Sequence, residues 1–288
     1  MRHFVSLFML ALFANLAAAQ STTPLQLSPS DLLLAKVQGI CPVMGEKLGS
    51  MGDLIKVQIE GETAFLCCES CKDQAINADY WKTIQANMAK AQGICPVMEE
   101  ELPKNASSTV VNGRRIFVCC PPCSKKIAVD PTTYTAMVDE KYAAYVAGAA
   151  EKEKVHRRIV AQKICPVSGE ELGSMAEPVW VKTSEGEEFF LCCKGCEGKA
   201  ANANHSASIE ANLRAAQGKC PVMDKALPGN AKSVLVNGRR VFICCPGCEK
   251  KLAADPTTYL AMVDQLYATN LKSNHQADAE GKTRAHDK

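Results

Sequence analysis

The sequence predicts an α+β protein built of four small modules in tandem, and three observations lead to this prediction. A block of four cysteines occurs four times and accounts for all 16 cysteines of the 288-residue chain, which indicates an internal repeat. In two of the blocks an Asn-Gly pair stands between β-branched and aromatic residues ahead of the cysteine cluster, which is typical of a tight β-hairpin. Apolar residues at helical spacing follow the cluster, so we expect a helix to close each module.

The repeated block begins with Cys-Pro-Val and ends with Cys-Cys-x-x-Cys. Modules of about 55 residues are near the lower limit for a self-sufficient hydrophobic core, so we expect the cysteines to staple each one. The four copies contain the following cysteines: Cys41, Cys67, Cys68 and Cys71; Cys95, Cys119, Cys120 and Cys123; Cys165, Cys192, Cys193 and Cys196; Cys220, Cys244, Cys245 and Cys248.

The modules alternate between two types in the order A-B-A-B. The A modules share Leu-Gly-Ser-Met (Leu48–Met51 and Leu172–Met175), and the B modules share Val-Asn-Gly-Arg-Arg (Val111–Arg115 and Val236–Arg240). A two-module unit has therefore been duplicated.

The predicted segments are a signal peptide (1–19), a linker (20–31), module A1 (32–90), module B1 (91–146), a charged helical spacer (147–157), module A2 (158–214), module B2 (215–270) and a disordered tail (271–288).

The N-terminus has the composition of an export signal. Arg2 and His3 precede an apolar run from Phe4 to Leu16, and Ala17–Ala19 form a small-residue cleavage site. We expect a mature chain that begins near Gln20 and resides in the periplasm or outside the cell, with no membrane association after the signal is removed. An internal anchor helix is the alternative, but the run is short for a bilayer span.

The elements of a module can be placed in order from local signals. Ser30 or Asp31 is expected to cap a first helix over 32–38, and the Cys-Pro-Val turn follows it. Next comes the hairpin, whose second strand runs into the cysteine cluster. In module B1 the sequence then favours a short helix over 124–129, and Asp130-Pro131 is expected to begin the closing helix.

The two ends of a hairpin are adjacent, so the first cysteine of each block should meet the last three. A helix that starts at the last cysteine lowers the pKa of a nearby thiol, and Lys125 and Lys126 would add to this effect in module B1. We therefore expect thiolates, which are soft ligands suited to zinc or copper(I).

The vicinal cysteines should not both reach one ion, because neighbouring residues of an extended strand point to opposite faces. We expect one of Cys119 and Cys120 to join Cys95 and Cys123, with the other held in reserve. A thioether three residues after the first cysteine is a candidate fourth ligand that would favour copper(I), although methionine also commonly fills gaps in a core. Module A2 has Ser168 at this position, and the three candidates are Met44, Met98 and Met223.

The sequence of Cys-Pro-Val-Met, a hairpin, Phe-x-Cys-Cys-x-x-Cys and Asp-Pro-x-x-Tyr resembles the YHS and TRASH-like group of small metal-associated modules. The resemblance covers most of residues 37–268 and implies a treble-clef-like fold with a role in heavy-metal handling, trafficking or sensing. The chain departs from that group in its longer hairpin segment, its additional vicinal cysteine and its lack of a Tyr-His-Ser tripeptide. The matching sets are Cys41, Cys67 and Cys71; Cys95, Cys119 and Cys123; Cys165, Cys192 and Cys196; Cys220, Cys244 and Cys248.

Two other functions compete with metal binding. In an oxidising compartment an even number of cysteines normally forms disulfides, so a stapled interaction scaffold without metal is the first alternative. A thiol-redox protein is the second, since Cys120-Pro-Pro-Cys123 and Cys245-Pro-Gly-Cys248 resemble redox pairs, but no thioredoxin-like βαβ pattern surrounds them.

The remaining features exclude several classes of protein. The formal net charge of +2, with acids and bases interspersed, does not predict a nucleic-acid partner, and no catalytic motif indicates an enzyme. The sequence thus predicts an exported, non-enzymatic protein that binds about one zinc or copper(I) ion per module. Its expected partners are the metal ion and a metal-transport or other exported protein.

Overall fold

The structure, a computed structural model, describes residues 27–284 and the side chains as far as residue 271. The predicted signal peptide (1–19), residues 20–26 of the predicted linker and residues 285–288 lie outside the described residues. The helices are α1 (Pro29–Gln38), α2 (Ala78–Gln92), α3 (Pro121–Val129), α4 (Pro131–Gln162), α5 (Ala203–Gln217), α6 (Gly247–Ala254) and α7 (Pro256–Arg284). The strands are β1 (Ile55–Ile59), β2 (Glu62–Leu66), β3 (Ser107–Val111), β4 (Arg114–Val118), β5 (Val179–Lys182), β6 (Glu188–Leu191), β7 (Lys232–Val236) and β8 (Arg239–Ile243).

Consecutive strands pair as four separate antiparallel hairpins. Asn112 and Gly113 both have positive φ, at 49° and 74°, as do Asn237 and Gly238, so the Asn-Gly turns have the sign pattern of the type I′ geometry that their sequence predicted. Each hairpin is followed by its cysteine cluster. The prediction of a mixed helix-and-strand fold in four repeated modules is confirmed at this level.

The first helix begins earlier than predicted. Its N-cap is Ser28, with Pro29 in the first turn, and Asp31 completes a capping box: the Ser28 hydroxyl accepts from the Asp31 N–H, and the Asp31 carboxylate accepts from the Ser28 N–H. Serine at the N-cap with an acidic residue three positions later stabilises a helix start. The predicted caps, Ser30 and Asp31, therefore lie inside the helix.

A helix precedes each Cys-Pro-Val turn. The helix α4 both follows the cysteine cluster of module B1 and precedes the turn of module A2. The Asp130 carboxylate accepts from the Thr133 N–H at 3.2 Å, so the predicted cap at the start of α4 is present. The helix then continues to Gln162, so the predicted spacer (147–157) is not a separate element. Its alanine, lysine and glutamate residues are good helix formers, and nothing in the sequence interrupts the helix before the turn at Lys163.

The last helix also extends beyond the predicted module boundary. A disordered tail was predicted from residue 271, whereas α7 continues to Arg284. A polar composition does not preclude a helix when lysine, alanine, glutamine and glutamate supply good intrinsic propensity. Among the described residues, no helix has the combination of length and apolar composition required to span a membrane.

The described residues divide into two compact units, one that ends at Val146 and one that begins at Ala147, so the boundary lies inside α4. Within the first unit the two hairpins are joined at their turns: the Thr63 N–H donates to the Gly113 carbonyl at 2.7 Å, and Arg115 pairs with the buried Glu62 at 2.8 Å. Within the second unit the Glu188 N–H donates to the Gly238 carbonyl at 2.7 Å. Each unit is thus one A module fastened to one B module.

Candidate metal centre

The first cysteine of each module lies on a tight turn that its own backbone closes. In module A1 the Cys41 N–H donates to the Glu46 carbonyl at 2.7 Å, and the Gly45 N–H donates to the Cys41 carbonyl at 2.9 Å. An isolated bridge between Ile40 and Lys47 joins the two ends of the turn. The same two hydrogen bonds occur at Cys95, Cys165 and Cys220. This turn fixes the first sulfur in position and buries it completely.

The other three cysteines follow the second strand of the hairpin. Cys67 comes directly after β2, and the chain then turns so that the Cys71 N–H donates to the Cys68 carbonyl at 3.3 Å. In the A modules the turn is a short 3₁₀ segment, whereas in module B1 it opens α3, with Cys120 as its N-cap. The turn brings the last cysteine back over the end of the strand.

A buried glutamine connects the two halves of each site, and the sequence analysis missed it. The Gln92 side chain donates to the Phe117 carbonyl at 2.7 Å and accepts from the Phe117 N–H at 2.9 Å. Because Gln92 stands three residues before Cys95 and Phe117 two before Cys119, this pair of bonds sets the position of the first sulfur relative to the others. The repeated Ala-Gln or Val-Gln ahead of each first cysteine was the available signal. The equivalent glutamines, all buried, are Gln38, Gln162 and Gln217.

Three sulfurs converge in every module. Within each group the Sγ atoms all lie within 4.8 Å of one another, and individual separations are 3.9 Å for Cys41–Cys71 and 3.7 Å for Cys67–Cys71. Thiolates around a tetrahedral zinc ion at 2.3 Å are about 3.8 Å apart, so the spacing is that of ligands to a shared ion. The groups are Cys41, Cys67 and Cys71; Cys95, Cys119 and Cys123; Cys165, Cys192 and Cys196; Cys220, Cys244 and Cys248.

The second vicinal cysteine lies beside each group without belonging to it. Cys120 Sγ is 3.4 Å from Cys123 Sγ and 3.9 Å from Cys119 Sγ, yet it is not within the common distance of the three-sulfur group. The structure therefore brings together the first, second and fourth cysteines of each block and leaves the third at the edge. The third cysteines are Cys68, Cys120, Cys193 and Cys245, and Cys245 is exposed.

The candidate thioether residues do not fill the core. Met44, Met98 and Met223 have exposed fractions of 44%, 49% and 44%, so the gap-filling alternative is wrong for all three. In module A2 the residue at the equivalent position, Ser168, places its hydroxyl 3.3 Å from Cys192 Sγ. Side chains at this position can therefore reach the cluster.

The thiols of a group differ in acidity. Burial raises the pKa of Cys165, but the Ser168 and Cys192 N–H groups and the Ser168 hydroxyl hydrogen-bond the sulfur and lower its pKa overall to about 6. The pKa of the other three first cysteines, Cys41, Cys95 and Cys220, is likewise lowered, because hydrogen bonds from backbone N–H groups outweigh the effect of burial.

The last cysteine of each group has the opposite shift. Burial, followed by the neighbouring thiols, raises the pKa of Cys196 and Cys248 to about 12, and the pKa of Cys71 and Cys123 is raised for the same reasons. The prediction that a thiol at the start of this turn or helix would have a lowered pKa was wrong for the last cysteine, because burial raises its pKa. The pKa of the third cysteine is lowered in three modules by hydrogen bonds to its sulfur, at Cys68, Cys193 and Cys245. Thus each group has one thiol disposed to ionise, and a metal cation would be needed to stabilise the other thiolates.

All 16 cysteines are free thiols in the structure. Their closest sulfur–sulfur separations are 3.3–3.5 Å, well beyond the length of a disulfide bond of about 2.05 Å. The structure therefore contains none of the disulfides that the scaffold alternative requires.

The donor set fits a soft metal ion. Three thiol sulfurs, of which the first and last are buried, with a fourth beside them, supply the ligands that zinc and copper(I) prefer. Four such groups can hold one ion each. Comparison with protein-family models, with curated proteins and with solved structures found no match to this chain.

Proposed function

We propose that this chain is an exported metal-binding protein that holds one zinc or copper(I) ion in each of four cysteine clusters. The observation that carries this proposal is the fourfold recurrence of three sulfurs within 4.8 Å of one another. Thiolates are needed for binding, and a lowered pKa in the first cysteine of each cluster supplies the first of them. The clusters act in binding and buffering the metal or in delivering it to an exported partner.

The order of elements supports the resemblance to YHS and TRASH-like modules. Each module presents a cysteine turn, a hairpin and a cysteine cluster, with a helix following the cluster. This is the arrangement expected of a treble-clef-like metal module. We therefore assign the protein a binding role rather than a catalytic one, in a location outside the cytoplasm that its N-terminal sequence favours.

Metal content tests the proposal directly. The mature chain, purified without oxygen and without added chelator, should contain about four equivalents of zinc or copper by elemental analysis. Separate reconstitutions with zinc and with copper(I) would identify the preferred ion by competition against chelators of known affinity. An apoprotein that binds neither ion under reducing conditions would contradict the proposal.

The disulfide alternative gives the opposite result. Thiol titration of the air-purified, denatured protein without reductant should find almost no free thiol if the cysteines form a stapled scaffold. We expect instead free thiols that become reactive only after the metal is removed, because bound thiolates are shielded by the ion.

A further inference from the structure

Module A2 has a groove of about 740 Å³ that reaches its own metal cluster. Cys196, one of the three converging sulfurs, forms part of the lining. Val181, Phe189, Leu191 and Ile209 contribute apolar surface to the same groove, and its wall also contains charged side chains, namely Lys182, Glu187, Glu197, Lys199, Glu210 and Arg240 of module B2. The volume lies within the usual range of small-molecule sites, and such sites are concave and largely apolar.

A residue that differs between the two A modules lies in the lining of this groove. Helices α2 and α5 begin at equivalent asparagine caps, Asn77 and Asn202, whose carbonyls accept from the N–H groups of Trp81 and Ser206. Trp81 packs against the hydrophobic core of its unit, whereas Ser206 lines the groove. Module A2 thus lacks an indole ring at the position where module A1 has one.

A second difference affects the same region. Ile76 of module A1 corresponds to Ala201, which also lines the groove. The exposed fraction of the last cysteine is 1% for Cys71 and 7% for Cys196. Two positions that carry large apolar side chains in module A1 thus carry small ones in the groove lining of module A2, whereas Phe189 of the lining stands where module A1 has Ala64.

We propose that this groove admits a planar aromatic chelator to the metal ion of module A2, so that A2 exchanges its ion with small molecules while A1 does not. The inference rests on the proposed function. The missing indole ring defines the shape of the occupant, a flat ring system of similar width. In the exchange donor atoms of the chelator would bond to the ion as the cysteine–metal bonds break one after another, and the released thiolates would take up protons from the buffer. The oxidation state of the metal does not change.

Stopped-flow release of zinc from the full chain tests this proposal. The protein, loaded with four zinc ions, is mixed with excess 4-(2-pyridylazo)resorcinol, a flat aromatic chelator that reports zinc by its absorbance. About one quarter of the zinc should leave in a separate phase at least about tenfold faster than the rest, which corresponds to a barrier lower by about 1.4 kcal/mol. The variant Ser206→Trp should abolish this phase and still hold four zinc ions.

Three further variants keep the result interpretable. Ser208→Trp lies on the same helix outside the groove lining and is exposed, so it should leave the fast phase unchanged. If Ser206→Trp does not fold, Ser206→Phe places a smaller aromatic ring in the groove and should slow the fast phase. Trp81→Ser should add a second fast quarter by opening module A1.

The outcomes separate this inference from the proposed function. A chain that holds four zinc ions but shows no fast phase, or one that Ser206→Trp leaves unchanged, would overturn the groove proposal alone. A chain that binds no metal would overturn the proposed function and the groove proposal with it.

Discussion

At the residue scale, the two vicinal cysteines of a module differ in what they contact. Cys119 belongs to the three-sulfur group, whereas Cys120 lies at its edge beside Cys123. Cys119→Ser should therefore abolish zinc binding in module B1 and reduce the content of the chain from four ions to three. Cys120→Ser should retain the ion with affinity lowered about 10- to 100-fold, the effect of losing an outer-shell partner.

Zinc stoichiometry and competition titration measure both variants. Serine is close to cysteine in size, so packing changes little and each variant is the matched control of the other. Equal losses of the B1 ion in the two variants would mean that both sulfurs are obligatory ligands, contrary to the geometry.

The differences in thiol pKa predict how many protons a metal ion displaces. At pH 7 Cys165, with its pKa lowered to about 6, is mostly ionised, while Cys196, with its pKa raised to about 12, is protonated. The pKa of Cys192 is also raised: the Ser168 hydroxyl lowers it, but burial and the Cys165 thiol outweigh that bond. Zinc binding to module A2 at pH 7 should release about two protons.

Titration in weak buffer with a pH indicator gives the number of protons released. Below pH 6 Cys165 becomes protonated as well, so the count in module A2 should rise towards three and the affinity should fall more steeply with decreasing pH. A constant count between pH 5 and pH 8 in a chain where only module A2 retains its cysteines would contradict the assignment of Cys165 as the ionised thiol.

The buried glutamine supplies a third prediction at this scale. Gln92→Leu keeps the approximate volume but leaves both the N–H and the carbonyl of Phe117 without their side-chain partner. An unpaired buried polar group costs about 1–3 kcal/mol, so we expect a loss of roughly 2–4 kcal/mol in the free energy of unfolding, together with weaker zinc binding in module B1. Gln85→Leu, at a half-buried position of the same helix, is the control and should change both quantities little in urea unfolding and zinc titration.

At the element scale, the hairpins and caps could be predicted because short sequences determine them. Asn112-Gly113 can adopt the two positive φ angles that a two-residue turn requires, and Asp130-Pro131 both caps and begins a helix. The convergence of the first cysteine with the last ones followed from the closure of the hairpin. These parts depend on neighbouring residues and need no tertiary information.

Other features depend on contacts that no local pattern specifies. The link between Gln92 and Phe117 joins residues 25 positions apart, and the groove of module A2 is lined by residues from separate strands and the helix α5, such as Val181, Phe189 and Ser206. The spacer was predicted as a separate element from its charge, although its residues also favour the continuous helix α4. The raised pKa of Cys123 depends on burial, which the sequence around the helix start does not reveal.

Helix ends supply the prediction at this scale. After α1, α2 and α5 the chain turns at Gly39, Gly93 and Gly218 with φ of 78°, 68° and 67°, but after α4 the same conformation is adopted by Lys163 at 67°. A side chain in this region is strained by about 1 kcal/mol. Lys163→Gly should therefore raise the free energy of unfolding by about 0.5–1 kcal/mol in urea melts.

A lysine within the same helix is the natural control. Lys154 lies in the interior of α4 and is exposed, so Lys154→Gly should lower the stability by about 1 kcal/mol through lost helix propensity. The two substitutions are chemically identical and should have opposite signs. A destabilising Lys163→Gly would mean that the positive φ angle carries no strain.

At the scale of the whole molecule, modules A2 and B2 differ in what fills their interiors. In module A2 the buried cluster consists of Leu191 and the three metal-group cysteines, Cys165, Cys192 and Cys196. In module B2 the buried cluster also contains several large apolar side chains from the hairpin and the following helices, namely Val241, Ile243, Leu252, Val263 and Tyr267. Module A2 therefore has little clustered hydrophobic core apart from the metal site, and module B2 has a core of its own. Module A1 differs from A2, because its Phe65, Ile84 and Met88 belong to the core that it shares with module B1.

Removing the metal should consequently unfold module A2 before module B2. The free energy of metal binding contributes directly to folding when the site is the core, and a module of about 55 residues has little other stability. After anaerobic chelation of the reduced protein, the amide hydrogens of β6 should exchange at least about 100-fold faster than before. The exchange rate of the amide hydrogens of β8 should change by less than about tenfold. Each factor of ten in rate corresponds to about 1.4 kcal/mol in the free energy of local opening. Hydrogen exchange followed by mass spectrometry resolves the two hairpins within one sample, and the metal-loaded protein is the reference. Equal loss of protection in β6 and β8 would mean that the apolar core of module B2 depends on its metal ion as much as module A2 does.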